Sequence, residues 1–149
     1  MATIAVLGTF DTKGDEHAFV AGLITSRGHK PLFIDVGTKG KSRIKPDVSR
    51  SAVARAGGST MKEIKEKNDR GHAVMVMSQG APEIVKKFAE KNRIQGIISL
   101  GGGGGTSICT AAMRALPIGF PKLMVSTLAS GDVSHYVGVK DVVMMPSIV

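Results

Sequence analysis

The chain has 149 residues, of which 42% are hydrophobic and 21% charged, a balance that describes one globular domain able to bury a core and excludes an intrinsically disordered chain. A single cysteine, Cys109, excludes an internal disulfide framework and zinc-finger spacing, and no apolar run approaches the roughly 20 residues a membrane span needs, so the expected location is the cytoplasm. The net charge of +8 favours anionic partners, whereas 4% aromatics with no Trp leave few stacking platforms, so nucleic acid is not the expected partner.

Residues 3–7 (Thr-Ile-Ala-Val-Leu) read as a first strand that ends at Gly8. A helix is expected from Asp15 to about Ser26, with Phe19, Leu23 and Ile24 on its apolar face and Gly28 as its stop. Residues 31–36 form a second strand, followed by a basic loop and a short helix from about Ser49 to Arg55. Thr60 with Glu63 three residues later makes a capping box. From there the apolar spacing predicts one long helix through Ala73–Met77, bent near Gly80-Ala-Pro82.

Residues 96–100 are the next strand, then the run Gly101, Gly102, Gly103, Gly104 and Gly105, then a helix from Thr106 to about Ala115. Residues 122–126 and 142–145 complete the strands. This alternation is the signature of an α/β fold: a doubly wound, mainly parallel, Rossmann-like sheet with helices on both faces. Ile148 and Val149 close the chain directly after the last strand. The expectation is therefore an incomplete N-terminal part of a larger protein, or a chain that covers this edge with a partner chain or as a homo-oligomer.

Between Lys39 and Arg70 stand ten Lys and Arg against four acids, a pattern that reads as a solvated face because the signs are interspersed. Five consecutive glycines need another reason, since each costs about 0.5 to 1 kcal/mol relative to Ala. Bare backbone ahead of a helix N-terminus is a phosphate cradle: free amides, room for positive φ, and a partial positive charge. Neither standard motif is met, because Thr106 stands where a P-loop needs Lys and where the dinucleotide pattern needs its third glycine.

If the second and third strands flank the first, the loop from Gly8 to Gly14 and the glycine run open at one switch-point crevice. The first loop then offers the hydroxyls of Thr9 and Thr12, the charge of Lys13, and Asp11 to orient Lys13 or hold Mg²⁺. Asp35, at the tip of the second strand, has the usual place of an acid that grips ribose, or of a turn starter. Thr106 adds a hydroxyl donor or a cap. The loop with Ser126, Thr127, Ala129, Ser130 and Gly131 lines the pocket. His135, Asp132 and Ser134 lie too close in sequence for a catalytic triad, and Cys109 reads as a small core residue.

The strings at residues 8–14 (GTFDTKG), 69–71 (DRG), 100–106 (LGGGGGT), 112–119 (AMRALPIG) and 121–132 (PKLMVSTLASGD) resemble the N-terminal domain of the tomato mosaic virus resistance protein family over essentially the whole chain. The resemblance implies an ATP-binding domain, a helix rather than a strand at residues 73–77, further helices, and a second, TIM-barrel-like domain that this chain lacks. It also implies proline where this chain has His135. The plant member's block of viral RNA replication is not carried over. The leading expectation is thus an ATP-binding part of a larger unit. Its rivals are an enzyme acting on a phosphorylated or acyl metabolite in the same crevice, and a basic interaction module for protein or RNA.

Overall fold

The computed structural model describes residues 1–147, so Ile148 and Val149 lie outside the described residues. Eleven elements alternate along them: β1 (Thr3–Gly8), α1 (Gly14–Ser26), β2 (Lys30–Asp35), α2 (Arg50–Ala56), α3 (Met61–Lys67), α4 (Arg70–Glu90), β3 (Gly96–Gly101), α5 (Gly103–Arg114), β4 (Lys122–Ser126), α6 (Ser134–Val137) and β5 (Val143–Pro146). All four strand pairings are parallel, in the order β2-β1-β3-β4-β5. The chain winds outward to β2, then returns past β1 to β3, so the switch point lies between β1 and β3. Right-handed crossovers put α1 on one face and α5 on the other.

The core lies on the α5 face. Ala5, Leu7, Ile34, Ile97 and Met124 point from the sheet into a cluster closed by Val53, Val76, Met77, Cys109 and Met113. The α2–α4 crossing is close because both partners lack a side chain there. A Cβ at Gly57 would stand 2.1 Å from the Val76 carbonyl oxygen, and one at Gly80 2.0 Å from that of Val53.

Three expectations are corrected. The single long helix is two, because Asn68 adopts the left-handed conformation (φ 47°) and the Asp69 carboxylate accepts from the N–H groups of Gly71 and His72 to start α4 afresh. The predicted capping box at Thr60 and Glu63 does begin α3. On α1, Phe19 and Leu23 are 69% and 41% exposed, and Gly14, His17 and Ala21 face inward instead. The sheet approaches at Gly8, where a Cβ would sit 2.1 Å from the His17 ring, so an imidazole fills the place that periodicity assigned to aliphatic side chains. Finally, α5 starts at Gly103 rather than Thr106, so three of the five glycines are its first turn.

Candidate functional site

The loop after β1 and the N-terminus of α5 meet at the switch point. Thr9, Asp11, Thr12 and Lys13 line one cavity of about 250 Å³ together with Gly102, Gly103, Gly104 and Gly105. The cavity has a third wall, Val36, Thr38 and Lys39 after β2, and a fourth, Arg70 and Val74 on α4, with Ile108 of α5 behind.

Gly102 is the N-cap of α5, and no side chain caps the helix. The first amide to find a carbonyl is Thr106 N–H, which donates to Gly102 O at 2.8 Å. The N–H groups of Gly103, Gly104 and Gly105 therefore have no helical acceptor. None of the five glycines has a positive φ; among the described glycines that conformation belongs to Gly28, Gly58, Gly119 and Gly138. Close packing accounts for Gly101, whose Cβ would stand 3.3 Å from Gly105 Cα.

The loop after β1 is internally braced. Thr9 and Thr12 hydroxyls bond each other at 2.9 Å, and Lys13 Nζ lies 3.1 Å from Glu16 Oε1. Asp11 does not pair with Lys13. Its Oδ2 accepts from Lys39 N–H (2.9 Å) and Gly40 N–H (3.0 Å), hanging the loop after β2 over the cavity.

Asp35 is enclosed, with both carboxylate oxygens bonded within the protein. Its side chain is 1% exposed; Oδ1 accepts from the N–H groups of Phe10 and Gly37, and Oδ2 accepts from Arg50 Nε–H at 2.9 Å. Arg50 also donates to Gly40 O at 2.6 Å and sits 3.9 Å from Asp11 Oδ2. One cation thus serves two buried carboxylates, with Asp11 Oδ1 and Arg50 Nη2 left unpartnered.

The hydroxyls of Thr106 and Ser126 are spent on each other at 2.7 Å, both fully buried, and Ser126 Oγ also accepts from Leu128 N–H. They tie β4 to α5 instead of facing a ligand. Thr127 and Gly101 line a neighbouring groove that shares Lys13, while Ala129, Ser130 and Gly131 border neither space. The His135 ring lies against that of Tyr136 at a 42° tilt with centroids 3.9 Å apart, and Asp132 accepts from Ser134 N–H, so these residues form a local turn rather than a triad. Cys109 is a core thiol, and burial pushes its pKa up to about 12.

Sequence reasoning missed Val36, Thr38, Lys39, Arg70, Val74 and Ile108 as wall residues. Arg70 had a local signal, since it follows the cap residue Asp69 at a helix start. Nothing local, however, says that α4 begins opposite α5. Arg70 makes no ion pair among the described residues, and its guanidinium reaches to 3.8 Å from where a Gly104 Cβ would stand.

Residues 2–149 match the model of the uncharacterised protein family UPF0261, N-terminal domain. The chain is 49% identical to a UPF0261 protein of Clostridium tetani over 98% of its own length, and 43% identical to one of Rhizobium meliloti over 99%. It is 34% identical over 96% of its length to the ToMV resistance protein Tm-1(GCR237) of Solanum lycopersicum. It spans 36% of the length of each of the two bacterial relatives and 21% of the tomato protein. With its α/β sheet and this match along nearly every residue, the chain belongs to the UPF0261 family, as its N-terminal domain.

Proposed function

We propose that this domain holds the phosphate groups of a nucleotide, ATP with or without Mg²⁺, against the first turn of α5, as part of a larger unit. The observation that carries this reading is the emptiness of that turn. A Cβ on Gly103 or Gly105 would meet nothing within 4 Å, and one on Gly104 only Val74 at 3.6 Å and Arg70 at 3.8 Å. Alanine would fit at all three positions and would favour the helix by about 0.5 to 1 kcal/mol at each. Glycine there serves nothing in the fold itself. Backbone kept clear at a helix N-terminus, beside Lys39 and Arg70, suits an anion that must approach the amides.

No group of three or more His, Cys, Asp or Glu among the described residues could hold a metal, so Mg²⁺ would arrive on the phosphate oxygens and keep its waters. ATP is also what the family resemblance implies. Titration calorimetry with ATP and Mg²⁺ tests the reading: binding at or below millimolar Kd is expected, with loss of that binding in Gly103→Val, whose side chain enters open space. No heat, or undiminished binding in the variant, rejects it.

The cavity size favours a second reading. About 250 Å³ is small for a whole nucleotide and matches a phosphorylated metabolite, and the acid expected to grip ribose is engaged elsewhere. A thermal-shift panel in which a sugar phosphate outranks ATP selects that reading.

A further inference from the structure

The ladder between β1 and β3 ends at the pair Val6 and Ile98, although β1 runs on to Gly8 and β3 to Gly101. Beyond that pair the two strands part, and the crevice opens between them. One side chain spans the gap. His17, near the start of α1, is fully buried; its Nδ1 lies 2.6 Å from Lys13 O, at the end of the loop after β1, and its Nε2 lies 3.2 Å from Leu100 N, just ahead of the Gly102 cap of α5. The ring also meets Phe10 edge to face, with centroids 5.3 Å apart, and Phe10 stands between the wall residues Thr9 and Asp11.

Both sides of the cavity therefore rest on one imidazole. β1 admits it because residue 8 is glycine: a Cβ there would stand 2.1 Å from Nε2 and 2.3 Å from Cε1. The bonds also fix the state of the ring, since a carbonyl accepts from Nδ1–H and an amide N–H donates to a bare Nε2. A proton on Nε2 would set donor against donor at Leu100. Burial is the largest influence and holds the His17 pKa below the ordinary imidazole value. Glu16 on the same helix and Asp35 at the end of β2 pull the other way, each already paired with a cation, Lys13 and Arg50 respectively. β1 and β3 face the ring with main chain, at Gly8 and Leu100.

We infer that His17 is a positioning residue of the anion site: the neutral ring sets the spacing between the loop after β1 and the first turn of α5, so that Lys13 and the glycine amides face one ligand. This role rests on the reading that phosphate lies against that turn. An aliphatic side chain of similar volume fills the same space, but leaves Leu100 N–H without its acceptor and the two strands without a tie past Ile98. Imidazolium has the same defect. Anion binding should therefore weaken when a group that never touches the ligand takes up a proton.

The test titrates tripolyphosphate into the native chain, His17→Gln and His17→Leu by calorimetry at about pH 7.5, where the native ring is neutral. Gln sets an amide oxygen near the place of Nε2 and can accept from Leu100 N–H without titrating; Leu fills the space and cannot. His17→Gln should bind within about threefold of the native chain, and His17→Leu about tenfold or more weakly. Circular dichroism and Tm are measured on each variant. In the native chain the His17 ring is followed by NMR against pH, with and without the probe. A positioning role requires bound tripolyphosphate to lower the His17 pKa, by about one pH unit for a tenfold coupling, whereas mere nearness of a polyanion raises it. That measurement needs no variant and decides the matter where a variant does not fold. Binding by His17→Leu equal to the native chain, binding by His17→Gln no better than by His17→Leu, or a His17 pKa unmoved or raised by the probe overturns the positioning role and leaves the phosphate reading in place. A native chain that binds no tripolyphosphate overturns the phosphate reading, and the positioning role with it.

Discussion

His17 supports the floor of the site from beneath, and its chemistry is set by two bonds. Nδ1–H donates to Lys13 O at 2.6 Å and Nε2 accepts from Leu100 N–H at 3.2 Å, which requires a neutral ring protonated on Nδ1. Burial is the largest cause holding its pKa below the ordinary imidazole value. A lowered pKa means that below about 6.5 the unfolded chain binds the proton more readily than the folded one, so the contribution is complete above that pH and is lost as pH falls toward the folded pKa. Thermal stability should therefore drop from pH 7 to pH 5 more steeply in the native protein than in His17→Met. Parallel curves would falsify this role. Arg50 has the opposite character: charged, 15% exposed, and shared by Asp11 and Asp35, which are 2% and 1% exposed. Arg50→Met leaves two uncompensated buried carboxylates and should cost about 3 to 5 kcal/mol in urea denaturation, with Arg50→Lys a poor rescue because one ammonium cannot copy the guanidinium fork. A loss below about 1 kcal/mol would show that the carboxylates find other partners.

At the scale of the element, α5 decides what the glycine run is for. Reading the helix as starting at Thr106 makes the glycines a loop; starting it at Gly103 turns three of them into the first helical turn, where they destabilise the helix they begin. Gly103→Ala and Gly105→Ala should each raise stability by about 0.5 to 1 kcal/mol while weakening nucleotide binding, a trade seen by pairing calorimetric Tm with titration. Alanine variants that gain stability and bind ATP as before would place the anion elsewhere. The α2–α4 crossing makes the contrasting case. Gly80→Val pushes a side chain into the Val53 carbonyl and should unfold the chain, because the obstacle is backbone on a packed helix. The division of α3 from α4 was legible only in part: the Asp69 cap is a local signal, but apolar spacing runs through it, and periodicity is blind to a single left-handed residue such as Asn68.

Across the whole molecule, charge and site are only loosely connected. Of the ten Lys and Arg between residues 39 and 70, Lys39 and Arg70 reach the cavity, while others pair on the surface, as Arg43 does with Asp15 and Lys62 with Glu66. The net charge of +8 should hasten the encounter with any polyanion, whereas retention should depend on the cavity. Tripolyphosphate is accordingly expected to displace ATP, and single-stranded RNA is not. Displacement by RNA that survives Gly103→Val would turn the reading toward a basic interaction surface.

The local code of this chain marked the five strands and the helix starts at Ser49 and Thr60: apolar runs of five or six residues between helices indicate a parallel sheet, and the capping box starts α3, whereas the break between α3 and α4 and the start of α5 at Gly103 came from the structure. Tertiary structure decided which side chains serve the site. Asp35 and Ser126 had the right positions and chemistry, but packing enclosed them and matched them with Arg50 and Thr106. Arg70 entered because α4 begins where α5 begins, at a distance in sequence that no local pattern spans. Periodicity records which way a residue faces relative to its own element; whether that direction ends in solvent, in a partner or in a cavity depends on what the rest of the chain has placed there.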